Sequence, residues 1–130
     1  MKEKEEREWQ ALRQEWRKIY RWVIDWVGGE DGAEHLHLLL AIEEAVVNVM
    51  EHGYGWGGQT FSLSCDSWED KGILFQVIDD APPFDPTQGK GLREEGAGIH
   101  LMMALVDEVH YEHSGGFNRL TLKKRLDPRR

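Results

Sequence analysis

The stretch that decides the fold of this chain reads His35-Leu-His-Leu-Leu-Leu-Ala-Ile-Glu-Glu-Ala-Val-Val-Asn-Val-Met-Glu-His52. Its apolar residues recur at helical spacing and predict a helix. Glu44 and Asn48 are four residues apart and therefore share one face of it, with Ala41 before them and His52 after them. Polar groups in so apolar a helix cost free energy unless something satisfies them. A Mg²⁺ ion and a reacting hydroxyl would satisfy these groups. The alternative is a partly exposed polar stripe in which Glu44 and Asn48 are hydrogen-bonded to each other.

Composition places the chain among soluble globular proteins. Its 130 residues, 40% hydrophobic and 31% charged, suffice for one domain with a core. The net charge of −8 argues against nucleic acid as a direct partner, because the phosphate backbone selects basic surfaces. No apolar run has the length of a membrane span, and the N-terminus lacks a signal-peptide core. The single cysteine, Cys65, excludes an internal disulfide, so we expect a cytoplasmic protein without a membrane partner.

The N-terminal region, residues 4–27, is predicted to be one amphipathic helix that ends at Gly28-Gly29. Apolar residues spaced seven apart form a stripe along it: Trp9, Leu12, Trp16, Ile19, Val23 and Trp26. The favoured interpretation is that this stripe packs on the domain's own sheet. The alternative is a coiled-coil-like seam, which would make the chain a homodimer.

The remaining pattern predicts a second helix over 32–52 capped by Asp31, strands over 60–66 and 73–79, and a long loop over 80–96. A short helix over 99–106 and a hairpin of 108–112 with 119–124 complete the order. This order implies an α/β (α+β) two-layer sandwich, in which helices cover one face of a mixed, mostly antiparallel sheet. We expect a single domain over 1–130, with the amphipathic helix in 1–29 and a motif-bearing core in 30–126.

Further motifs follow the helix in a fixed order. They read Val77-Ile-Asp-Asp-Ala-Pro-Pro-Phe-Asp-Pro86, Gly96-Ala-Gly-Ile-His-Leu101, Leu105-Val-Asp-Glu-Val-His-Tyr111 and Asn118-Arg-Leu-Thr-Leu-Lys-Lys-Arg125. Each motif alone is weak, but the ordered set resembles the histidine-kinase-like ATPase superfamily over about residues 34–126. Within that superfamily it is most similar to the small bacterial anti-sigma-factor serine/threonine kinases, and the resemblance implies their fold.

Phosphoryl transfer needs Mg²⁺, positioning, and a group that orients or deprotonates the acceptor. Glu44 suits the last role, and Asn48 offers a hard oxygen for Mg²⁺. The resemblance implies the same assignments, with Glu44 as general base and Asn48 as metal ligand. Glu43 is a rival acid, but it points about 100° away around the helix. His52 matches a family position and is expected to shape the loop that follows.

The other motifs suit the nucleotide. Asp79 ends an apolar strand and can accept a hydrogen bond from an exocyclic amine, which the resemblance identifies as that of adenine. Gly96, Ala97 and Gly98 open a helix whose backbone N–H groups can reach phosphate oxygens. Two cations in the long loop, Lys90 and Arg93, could neutralise the β- or γ-phosphate.

The chain departs from the family pattern at three places. Position 81 is alanine where the superfamily usually has glycine. Glu94 and Glu95 precede the glycines where related kinases often carry an arginine. The family usually begins with a β-strand, whereas the sequence of this chain predicts a helix directly at its start.

The sequence thus predicts an ATP- and Mg²⁺-dependent serine/threonine protein kinase. By resemblance, its substrate would be an anti-sigma-factor antagonist, and it would also bind a sigma factor. The alternative is a non-catalytic, nucleotide-dependent binding switch, which the Glu94-Glu95 pair favours. A histidine kinase catalytic module is disfavoured, because no dimerisation domain with an acceptor histidine is evident.

Overall fold

The computed structural model describes residues 3–29, 31–83 and 96–127, and only the backbone of residues 96–99 and 101. Strand β1 (Glu5–Gln10) is followed by a 3₁₀ turn and by helices α1 (Trp16–Val27) and α2 (Ala33–Val47). A π-helical turn (Asn48–Gly53) extends α2. The chain continues through β2 (Thr60–Trp68), β3 (Gly72–Asp79), α3 (Gly96–Leu105), β4 (Glu108–Ser114) and β5 (Phe117–Arg125).

One five-stranded sheet has the order β1-β2-β3-β5-β4. All four pairings are antiparallel, so the sheet contains none of the parallel pairing that a mixed sheet would have. Cross-strand neighbours Cys65, Phe75 and Leu122 are fully buried on the face that the helices cover. The predicted α+β sandwich is therefore confirmed, and one apolar layer between sheet and helices forms the core.

The helix predicted over residues 4–27 is wrong in its first half. Residues Glu5–Gln10 form the edge strand β1, antiparallel to β2, so the supposedly missing N-terminal strand is present. Trp9 is buried opposite Phe61, and the Trp22 indole on α1 donates a hydrogen bond of 3.0 Å to Glu5. The glutamates and arginine of β1 favour helix locally, but pairing with β2 and burial of Trp9 override that preference.

The second half of the stripe behaves as the core interpretation predicts. Ile19, Val23 and Trp26 on α1 are buried within this one chain. Trp16 is only half-buried, with its ring 5.6 Å from that of Tyr20. Trp9 and Leu12 precede the helix, so the stripe is not a continuous heptad seam.

Helix boundaries differ from the predicted ones in detail. Gly28 ends α1 in the left-handed conformation, at φ +91°, and donates to the Ile24 carbonyl, as the Gly28-Gly29 signal predicts. Asp31 does not cap α2, because the N-cap residue is Gly32 and no side chain caps that end. None of the helices in the described ranges is both long and apolar enough to cross a lipid bilayer.

Candidate nucleotide-binding site

Glu44 and Asn48 lie where α2 passes into the π-turn. Both side chains are half-buried, while Ala41, Ala45 and Val46 beside them are buried. Within the part of the chain that the structure describes, neither side chain has a hydrogen-bond partner, and the Glu44–Asn48 bond of the alternative interpretation is not formed. The two polar groups therefore share a face at the surface of the helical layer, with hydrogen-bonding capacity to spare.

The pKa of Glu44 is raised above its ordinary value. Burial is the larger cause, because it disfavours the charged carboxylate, and the neighbouring Glu43 carboxylate adds to it. A carboxylate shifted in this direction is a stronger base than an exposed glutamate. The shift fits a residue that accepts a proton, although a structural acid in the same surroundings would show it too.

The π-turn brings the end of α2 to the end of β3. Tyr54 is buried, its hydroxyl donates to the Asp80 carboxylate over 2.6 Å, and the Asp80 amide donates to the same hydroxyl over 2.9 Å. Burial and the Asp80 carboxylate raise the pKa of Tyr54 far above its ordinary value, so the hydroxyl stays protonated. His52 lies within this π-turn and is exposed.

Asp79 is held through one oxygen of its buried carboxylate. Its Oδ1 accepts hydrogen bonds from the Ala81 amide over 3.0 Å and from Asn118 Nδ2 over 2.9 Å. Asn118 is the register partner of Asp79 on β5, and its Nδ2 also donates to the Ala81 carbonyl over 2.8 Å. Burial is the largest influence on the pKa of Asp79 and raises it, and the two hydrogen bonds oppose that effect.

Gly53 and Ala81 lie close together where the two segments meet. A Cβ built on Gly53 would lie 3.1 Å from the Ala81 Cβ, tighter than an ordinary van der Waals contact. Ala81 is itself buried. The alanine that replaces the family's usual glycine is therefore accommodated by a glycine on the facing turn, and it does not hold the two segments apart.

The residues that the sequence predicts to bind phosphate are described only in part. Helix α3 begins at Gly96, three residues before the predicted start at residue 99. Gly96, Ala97 and Gly98 therefore form its first turn, and the helix opens at the glycines as predicted. That turn supplies the backbone N–H groups on which the phosphate prediction depends. The predicted cations Lys90 and Arg93, and the pair Glu94-Glu95, lie outside the described residues.

The donor set suits Mg²⁺ better than a metal that needs a full protein cage. The described residues contain no cluster of three or more His, Cys, Asp or Glu side chains able to hold a metal ion. Mg²⁺ usually keeps several waters and takes one or two protein oxygens together with substrate phosphates. One half-exposed Asn48 amide oxygen, without a partner among the described residues, fits that requirement.

Two residues of this region carry no assigned role in the sequence analysis. Asn118 begins a quoted motif and Tyr54 lies two residues after one, but only the structure shows that each is bonded to the segment after β3. Pairing β3 with β5 in the sequence, and then looking for the polar residue opposite Asp79, would have identified Asn118. Tyr54 has no such signal, because a π-turn places it.

A separate cavity in the described ranges lies away from this site. It measures about 350 Å³ and is lined by residues such as Trp26, His35, Lys71 and Leu126. Gly72 and Ile73, at the start of β3, line it as well, so it lies at the opposite end of that strand from Asp79. Hydrogen bonding and sequence motifs, rather than cavity size, identify the candidate site.

Comparison with known proteins agrees with this fold. The chain is 32% identical to the serine-protein kinase RsbW of Halalkalibacterium halodurans over 90 residues, which cover 59% of this chain and 54% of the relative. The chain thus spans about half the length of that protein. Its fold matches a crystal structure of the RsbU and RsbW domains of Rv1364c from Mycobacterium tuberculosis, with a TM-score of 0.70 and 22% identity. That match covers 95% of this chain and 32% of the other.

A family model described as a histidine kinase-like ATPase domain matches residues 9–124. The matched region runs from β1 to β5 and includes Glu44, Asn48, Asp79 and Asn118. Such a domain implies ATP binding. The chain therefore belongs to the histidine kinase-like ATPase family.

Proposed function

We propose that this protein is an ATP-dependent serine/threonine protein kinase of the anti-sigma-factor type. The observation that carries the proposal is the placement of Glu44. It is a half-buried acid with a raised pKa and no hydrogen-bond partner among the described residues, one helical turn before Asn48. A family member that only bound nucleotide would have no need of a strengthened base at that position.

Each described residue then has one task. Asp79 accepts a hydrogen bond from the adenine amine, and the first turn of α3, Gly96–Gly98, donates backbone N–H groups to phosphate. Asn48 holds Mg²⁺, which neutralises charge on the phosphates when it is bound. Glu44 accepts the proton of the acceptor hydroxyl as that oxygen forms its bond to the γ-phosphorus, while the bond from the γ-phosphorus to the bridging oxygen breaks and ADP leaves. Lys90 and Arg93 keep the phosphate-neutralising role that the sequence predicts.

We propose two protein partners. The first is an anti-sigma-factor antagonist that carries the acceptor serine or threonine, and the second is a sigma factor that the kinase binds. The similarity to a serine-protein kinase supports the acceptor class. The acidic net charge of −8 supports protein partners over nucleic acid. A homodimer remains part of this proposal, formed by a surface other than the buried residues of α1.

The test begins with calorimetric titration of ATP into the 130-residue chain, with and without Mg²⁺. The second step incubates the chain with γ-labelled ATP, Mg²⁺ and a purified antagonist protein, and maps the labelled residue by mass spectrometry. Label on one serine or threonine of the antagonist is the expected result. ATP binding without any transfer to any antagonist of the source organism would contradict the kinase assignment.

The second candidate is a non-catalytic switch that changes partner affinity when nucleotide binds. The observation that favours it is the Glu94-Glu95 pair directly before Gly96, where negative charge would repel phosphate. This candidate predicts that sigma-factor affinity changes with ATP while Glu44→Gln has no effect on any readout. Replacing both glutamates by glutamine separates the two, because a kinase hindered by that charge should become faster.

A further inference from the structure

The orientation of the Asn118 side chain is fixed by its neighbours. Its buried amide faces the Ala81 carbonyl oxygen at 2.8 Å, and a carbonyl oxygen can only accept. The atom facing it must therefore be the NH₂ group, which also donates to Asp79 Oδ1 at 2.9 Å. Both hydrogens of the Asn118 amide are thus used on the segment that follows β3.

The opposite end of the same amide is held from β4. Asn118 Oδ1 accepts a hydrogen bond from the Tyr111 hydroxyl, and His113 Nδ1 lies 3.0 Å away. Because Oδ1 is an acceptor, His113 must carry a proton on Nδ1 to make that bond. Asn118 therefore links the edge strand β4 to the carboxylate of Asp79, with hydrogen bonds on both of its polar atoms.

We propose that Asn118, held by Tyr111 and His113, is the positioning residue that keeps Asp79 Oδ2 facing the exocyclic amine of the purine and so determines selectivity for adenine. Among the described residues, both hydrogen bonds to Asp79 end on Oδ1. This leaves Oδ2 as the oxygen with capacity for a ligand. The inference rests on the proposed ATP-dependent function and deepens it.

Two physical effects make Asn118 decisive. Without its Nδ2 donor, Asp79 keeps only the Ala81 amide, and the carboxylate can rotate so that neither oxygen has a fixed direction. The Asn118 hydrogen bond is also the largest of the influences that lower the pKa of Asp79 against the effect of burial. A protonated Asp79 would donate where the amine of adenine also donates, so the selective contact would be lost.

The test measures equilibrium binding of two nucleotides: ATP, and purine riboside 5′-triphosphate, which lacks only the 6-amino group. Wild type should prefer ATP by about 10- to 100-fold, the range for one hydrogen bond to a charged group. Asn118→Ala should reduce the preference to roughly 3-fold or less, and Tyr111→Phe should give an intermediate value. A role in folding alone would change both affinities together and leave their ratio intact.

Thr121→Val is the matched control. Thr121 is buried on the same strand but on the opposite face, where its hydroxyl accepts from Gln76 at 3.0 Å. This variant should lose stability and keep the wild-type ratio. An unchanged ratio in Asn118→Ala, or an equal loss in Thr121→Val, would overturn the inference. If Asn118→Ala does not fold, Tyr111→Phe decides, because a wild-type ratio there overturns it equally. Failure of wild type to bind ATP at all would instead refute the proposed function on which the inference rests.

Discussion

The two halves of the candidate site are built in opposite ways. On the β3 side, Asp79, Asp80, Ala81, Tyr54 and Asn118 are joined by hydrogen bonds of 2.6–3.0 Å. On the α2 side, Glu44 and Asn48 are half-buried and bond to none of the residues that the structure describes. Under the proposed function, the first half is organised to select the purine, whereas the second would bind metal, phosphate and acceptor.

This difference corresponds to two tasks. Selecting a base benefits from fixed donors and acceptors, because a rigid site loses little entropy when the ligand binds. A general base and a metal ligand must instead keep their lone pairs free until the reacting groups arrive. Internal bonds at Glu44 or Asn48 would compete with the chemistry, so their absence among the described residues agrees with the proposed roles.

The difference between the two halves predicts that the largest effect of a substitution on phosphotransfer occurs at Glu44. Glu44→Gln keeps the shape and the hydrogen-bonding capacity of the side chain but removes the base, so phosphotransfer should fall by about 10²–10⁴-fold. ATP affinity should stay near the wild-type value, because Asp79 and the start of α3 are untouched. Single-turnover transfer from labelled ATP to the antagonist measures the first effect, and calorimetry measures the second.

Glu43→Gln is the matched control for that experiment. It removes the same charge from the adjacent position, which points away from the Asn48 face, so transfer at saturating pH should remain within a few-fold of wild type. If both variants lose transfer equally, the effect is one of helix charge, and Glu44 has no special role. Wild-type transfer by Glu44→Gln would remove the base assignment.

The next largest effects separate the two halves by their metal dependence. Asn48→Ala should weaken ATP binding only when Mg²⁺ is present, because Asn48 acts through the metal on the phosphates. Asp79→Asn should weaken ATP by roughly 10-fold or more with or without Mg²⁺, because it replaces a charged acceptor of the base amine. Fluorescent ATP titrations in Mg²⁺ and in EDTA measure all four affinities.

Thermal unfolding of the same two variants is the control for folding, because it shows whether a loss of affinity reflects a loss of stability. Burial raises the pKa of Asp79, so its ionised form destabilises the nucleotide-free fold at neutral pH. Asp79→Asn removes that charge and keeps an Oδ1 acceptor, so its melting temperature should not fall below that of wild type. If both variants lose the same affinity for ATP in Mg²⁺ and in EDTA, the two halves do not have the separate roles proposed for them.

The residues of the α2 side could be predicted from the sequence more completely than those of the β3 side. Helical periodicity identified Glu44 and Asn48, because a shared face follows from i, i+4 spacing alone. It missed Tyr54 and Asn118, because their roles arise from a π-turn and from strand register, which are tertiary features. It also took β1 for a helix, since the pairing partners that make those residues a strand lie fifty to sixty positions away.

The junction between the halves gives the next prediction. Gly53→Ala should destabilise the protein by about 1–3 kcal/mol, because its new methyl group would press on the Ala81 Cβ 3.1 Å away. Ala81→Gly in the same chain should recover most of that loss. Urea denaturation of the two single variants and the double variant completes the cycle. If Ala81→Gly does not rescue Gly53→Ala, the two segments are not in the contact that joins the site.

The smallest effect expected is a shift in the pH dependence of transfer. Glu44 must be ionised to act as a base, so transfer should rise with pH through the pKa of Glu44, which is raised above that of an exposed glutamate. Burial is the main cause of that raised value and the Glu43 charge is the second cause. Glu43→Gln should therefore move the acid limb of the rate profile towards lower pH without removing it.

Stability offers an independent measurement of the same titration. The pKa of Glu44 is raised in the folded protein, so its contribution to the free energy of unfolding is fully present below the unfolded value and is lost as pH rises through the folded value. Glu44→Gln should therefore flatten the fall in nucleotide-free stability across that window, and Glu43→Gln should reduce it. Asp79 titrates in the same direction, so the comparison is best made in the Asp79→Asn background. A stability profile that Glu44→Gln leaves unchanged would mean that Glu44 titrates as an ordinary surface acid, and the α2 side would then lose its strengthened base.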